Sequence, residues 1–113
     1  MQKITHVRRN RKHWALSQDE LAQLLGLTQS QTSRIESGES EPDLNVALGL
    51  QVIFGRSPRA LFTTLYRRAE ETVMRAAADM DLEIAGMTDR HSRRKQQLLK
   101  SMSERSGSST DGL

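Results

Sequence analysis

The sequence predicts an all-α protein: a five-helix bundle followed by a C-terminal helical extension. Apolar residues recur at helical spacing through most of the 113 residues, and no alternating stretch is long enough for a strand. Two helix-start signals stand eleven residues apart, at Ser17 and Thr28, with Gly26 between them. Aromatic residues make up only 4% of the chain, so the core must be small and aliphatic, which suits short packed helices. The length fits one domain with a modest appendage.

The elements follow in order. Ile4, Val7 and Trp14, with the stem of Arg11, mark a first helix near residues 2–13, with Trp14 as a core plug. Ser17 with Glu20 is a capping box, and Leu16 with Leu21 its hydrophobic staple, so a second helix runs to Leu25. Thr28 with Gln31 is another box, opening a third helix that ends at Ser37. Gly26 and Gly38 supply left-handed positions after these two helices. Asp43 caps a fourth helix through Phe54, with Leu44, Ala47, Leu48, Leu50, Val52 and Ile53 available for burial. Ser57-Pro58 reads as cap and first residue of a fifth helix.

That fifth helix is expected to overrun the bundle. Phe62, Tyr66, Ala69, Val73, Ala76 and Met80 fall at spacings of four and three, a short heptad-like stripe and a candidate dimer contact. Gly86 breaks or bends the helix, and a further helix covers Asp89 to Glu104 with Leu98, Leu99 and Met102 as a thin apolar edge. The expected organisation is therefore residues 1–66 as the bundle and 67–105 as the extension. Residues 106–113, small and polar, form a disordered tail.

Composition excludes several classes. The chain has no cysteine, so disulfides and thiolate metal sites are out. His6, His13 and His91 are too scattered for a metal site, and no cofactor is expected. No apolar run approaches membrane length, and the N-terminus lacks the pattern of a signal peptide, so a cytoplasmic location is the default. No phosphate loop, nucleophile elbow or zinc-protease signature occurs, and no enzyme activity is expected. The net charge of +3 says little, but its distribution says more. Residues 1–18 hold Lys3, Arg8, Arg9, Arg11 and Lys12 and no acid, and Arg90, Arg93, Arg94 and Lys95 form a second cluster. Such clusters favour polyanions through phosphate neutralisation; a solvated helix face explains the second equally well.

Two short capped helices joined through a glycine turn make a helix-turn-helix, the unit that lays a helix in the DNA major groove. Leu21, Leu25, Leu27 and Ile35 fill the space between them, Ala22 allows close approach, and Thr32 takes an inward position that an aliphatic residue would fill better. This pattern resembles the lambda-repressor-like family of the Cro or xenobiotic-response-element type. The resemblance rests on Leu16 through Ala22, then Gly26, Thr28 through Glu36, and Gly38. It covers roughly residues 4–65.

The resemblance implies double-stranded DNA as partner and assigns roles. The helix from Thr28 is the recognition helix. Gln29, Ser30, Ser33 and Arg34 read bases, glutamine being suited to adenine and arginine to guanine. Gln18, Thr28, Arg8, Arg9 and Lys12 contact phosphates, and Arg11 with Glu36 forms an internal ion pair. Two departures stand out. Glu39 and Glu41 lie where many relatives carry basic residues, and Ala15 occupies a position where glycine would end the first helix more easily. The function expected is a sequence-specific transcriptional regulator, a repressor acting as a homodimer and associated with the nucleoid. A protein-interaction module such as an antitoxin or adaptor, working through the C-terminal extension, is the alternative; a nonspecific nucleoid binder is a third.

Overall fold

The computed structural model describes residues 5–107. Among them are seven helices and no strand: α1 (Val7–His13), α2 (Gln18–Leu25), α3 (Gln29–Ser37), α4 (Leu44–Phe54), α5 (Pro58–Leu61), α6 (Thr63–Ile84) and α7 (Arg90–Ser106). Contacts divide the chain into two compact units, one up to Tyr66 and one from Arg67.

Local chemistry sets the helix ends of the first unit. Ser17 Oγ accepts from the Glu20 amide at 3.0 Å, and Glu20 Oε1 accepts from the Ser17 amide at 2.8 Å. Thr28 and Gln31 repeat the arrangement at 3.0 and 2.9 Å. Each box satisfies two amides that have no intrahelical partner. Gly26 ends α2 at φ 70°, so the chain turns into α3 without Cβ strain. Asp43 and Ser57 cap α4 and α5 from one side only, accepting from the Val46 and Ala60 amides.

The core of this unit is Val7, Leu21, Ile35, Val46, Leu50, Leu61 and Phe62, with Leu25, Leu27, Ile53, Phe54 and Leu65 packed around it. Every helix from α1 to α5 contributes, or ends on a residue that does. Burying each large aliphatic side chain is worth roughly 1.5–3 kcal/mol. Leu25 packs on α4 where Gly49 leaves room: a Cβ there would lie 3.2 Å from Leu25 Cδ2. The His6 amide donates to the Leu61 carbonyl at 2.8 Å, tying the start of α1 to α5.

Several expectations need correction. The first helix begins at Val7, not residue 2; Ile4 lies outside the described residues. Trp14 is not a core plug, being 62% exposed. Its spacing from Val7 counts only while the helix continues, and α1 stops at His13. Arg11 turns inward instead, and Trp14 rests edge-on against the His13 ring, centroids 4.9 Å apart. On α4, Val46, Ala47 and Leu50 are buried, but Leu44, Leu48 and Val52 are exposed. The fifth helix is not continuous either. Phe62 interrupts it at φ −124° and ψ 64° and is buried in the core, so it does not belong to the outward stripe. Ser106 is still helical, and residues 108–113 of the expected tail lie outside the described residues.

Ala15 has φ 58°, the only left-handed non-glycine residue described. A Cβ costs roughly 1–2 kcal/mol there, and glycine returns part of that gain as unfolded-state entropy. Ala15→Gly should therefore raise stability by about 0.5–1 kcal/mol. Thermal unfolding followed by circular dichroism checks this; an unchanged or lower midpoint would show the turn to be unstrained.

In the second unit, Asp89 caps α7 by accepting from the Ser92 amide at 3.1 Å. Gln96 Nε2 donates to the carbonyls of Ile84 at 2.9 Å and Met87 at 3.2 Å, fastening α7 to the end of α6. Ala77, Ile84 and Ser92 are the buried residues here. Gly86 takes φ 83° in the connecting turn. No described helix is long and apolar enough to cross a membrane.

Candidate nucleic-acid interface

The site is built around a buried carboxylate. The Glu36 side chain, at the end of α3, has no solvent exposure. Arg11 reaches it from α1, donating Nε to Oε2 at 2.5 Å and Nη2 to Oε1 at 3.2 Å. Its remaining nitrogen, Nη1, donates to the Leu16 carbonyl at 2.9 Å. One guanidinium thus joins α1, the turn before α2, and α3. Bidentate geometry of this kind suits arginine and not lysine. Thr5 Oγ1 donates to the Glu36 carbonyl at 2.7 Å, and Arg8 Nε stands 3.5 Å from Glu36 Oε1.

Burial pushes the Glu36 carboxyl up, but the bonds from Arg11 and Gln18, the charge of Arg11 and the contact from Arg8 outweigh it. The net result holds the group below its ordinary value of 4.5.

The network continues outward. Gln18 Nε2 donates to Glu36 Oε1 at 3.1 Å. Gln18 Oε1 in turn accepts from Gln29 Nε2 at 3.3 Å. The buried ion pair is therefore linked, through one half-buried glutamine, to the first residue of α3, which is exposed. This chain orients the Gln29 amide while leaving its carbonyl oxygen and second N–H available. Sequence spacing placed Gln18 and Gln29 on adjacent helix starts but gave no sign of this bond.

Along α3, Ser30 and Arg34 are exposed and Ser33 is half-buried. Arg34 lies back along the helix, donating Nη2 to Ser30 Oγ at 3.1 Å and Nε to the Ser30 carbonyl at 3.4 Å. Thr32 and Ile35 face inward, and the Thr32 hydroxyl is satisfied by the Thr28 carbonyl at 3.0 Å. The outer face of α3 is thus polar, capped and free of apolar bulk. Arg9 and Lys12 are exposed on α1, and Thr28 is exposed at the cap of α3. Glu39 is exposed in the following loop, which the Ser40 amide fastens to the Arg34 carbonyl at 3.1 Å.

A helix-turn-helix family model matches residues 7–61, the stretch that holds α1 to α5. Over those residues the chain is similar to the lambda-repressor/Cro-like helix-turn-helix family. No curated protein and no solved structure shows a significant match. The helix-turn-helix domain is that of a DNA-binding regulator, with α3 as its second helix. Among its described residues no group of His, Asp or Glu is placed to hold a metal ion.

Proposed function

We propose that this helix-turn-helix protein is a sequence-specific double-stranded-DNA-binding transcriptional regulator that acts as a homodimer and represses by occupying promoters. The observation that carries this reading is the exposed Gln29 amide, oriented by Gln18 and backed by the buried Arg11–Glu36 pair. A preorganised amide on a capped helix can pair with the N6 and N7 edge of adenine. Ser30, Ser33 and Arg34 complete the reading face. Thr28, Gln18, Arg8, Arg9 and Lys12 fix register through phosphates and carry no sequence information of their own. Two copies read half-sites about one helical turn apart, in the nucleoid of the cytoplasm. Selection from random duplex DNA tests the reading: an enriched two-fold word supports it, and its absence refutes it.

The exposed Leu44, Leu48 and Val52 face and the Glu39 loop favour a second reading, a protein-interaction module of antitoxin or adaptor type. Glu39 also gives a test of DNA docking. If the loop after α3 approaches the backbone, Glu39→Lys removes a repulsion and adds a contact. Affinity should rise several-fold at low salt, and the slope of log K against log salt should steepen by about 0.9 per added phosphate contact. Unchanged affinity and slope in a gel-shift titration would place the loop away from DNA.

A further inference from the structure

We propose that α6 pairs antiparallel with the α6 of a second copy of this chain, through Ala69, Val73, Ala76 and Met80. The inference rests on the homodimer in the reading above and specifies its orientation. One side of α6 is already occupied: Ala77 and Ile84 are each 8% exposed, Glu70 and Met74 are half-buried, and Gln96 holds α7 to that end. The adjoining flank is open. Val73 is 51% and Met80 46% exposed, and Ala69 and Ala76 are exposed with them.

Two features select a second copy in antiparallel register. The open seam alternates small and large: Ala, Val, Ala, Met. Read backwards it is large where it was small, so Ala69 meets Met80, Val73 meets Ala76, and both relations repeat by symmetry. Facing large with small lets two helices approach closely without voids. A parallel pair would instead set Ala69 on Ala69 and Met80 on Met80. Second, the open flank carries Arg68 near its start and Asp79 and Glu83 near its end. In the register above, Arg68 of one copy lies between Asp79 and Glu83 of the other. Exposed pairs of this kind contribute little energy but choose orientation.

The chain has no cysteine, so introduced thiols report without background. The full chain is prepared as Ala69→Cys and as Met80→Cys, and each is oxidised mildly alone and as an equal mixture. The antiparallel pair gives a disulfide-linked dimer in the mixture only. Residues 69 and 80 are eleven positions apart, about 16 Å along a helix, and a disulfide spans only about 4.4–6.8 Å between Cα atoms. Cross-linking of either variant with itself, or none in the mixture, overturns the proposal. In parallel, Val73→Glu should raise the dimer dissociation constant about tenfold or more by sedimentation, since each copy would bring a carboxylate into the seam. Val52→Glu on α4 should leave it unchanged; the reverse pattern moves the interface to α4 and sinks the idea. The two readings fail separately. A cross-linked mixture that selects no DNA word removes the regulator and keeps the pair. A selected word without cross-linking removes the pair alone.

Discussion

Replacing Glu36 with alanine should cost the domain about 3–5 kcal/mol, the usual consequence of stranding one charge of a buried pair. Arg11 would keep its bond to the Leu16 carbonyl but lose both carboxylate contacts, in a place where its side chain is only 11% exposed. Against a total stability of roughly 5–15 kcal/mol for a typical domain, that is a large fraction of the whole. Urea unfolding followed at 222 nm reads the loss directly. Replacing both partners with apolar residues of similar volume should cost far less than either single change, because no charge is then left unpaired. A loss under about 1 kcal/mol for the single variant would mean that water reaches the site.

The same residue sets an acid limit. A carboxyl whose folded value lies below its unfolded value binds fewer protons in the native state. Its contribution is complete above the unfolded value of 4.5 and disappears as pH falls through the folded value. Wild-type stability should therefore decline below about pH 4.5 more steeply than that of Glu36→Gln.

The parts of this fold that were legible in sequence are the ones fixed within a few residues. Ser17 with Glu20, Thr28 with Gln31, and the glycines after α2 and α3 act locally, and the structure has them where the spacing put them. Trp14 is not legible in this way, because its exposure depends on where α1 stops and on a partner of Arg11 twenty-five positions away. Phe62 breaks a helix without glycine or proline to announce it; what decides its conformation is the core that takes its ring. On α4 nearly every residue is apolar, so periodicity could not choose between the face of Leu50 and the face of Leu48. The outward residues of α3 could be assigned by pattern. The bond between Gln18 and Gln29 could not, because two glutamines near each other have many ways to point.

That bond shapes the expected result at the recognition helix. Gln29→Ala should weaken binding to the selected word by about 1–3 kcal/mol, roughly 5- to 150-fold, and relax preference at one base pair. Binding to unrelated DNA, which depends on phosphate contacts, should hardly change. Gln18→Ala removes a proposed phosphate contact and also the acceptor that steadies the Gln29 amide. It should lower affinity for all sequences and lose part of the discrimination at the same base pair, with the double variant falling short of the sum of the two. If Gln18→Ala leaves discrimination intact, Gln29 finds its base without help. If Gln29→Ala weakens every sequence alike, the glutamine is a backbone contact and specificity must come from Ser30, Ser33 and Arg34.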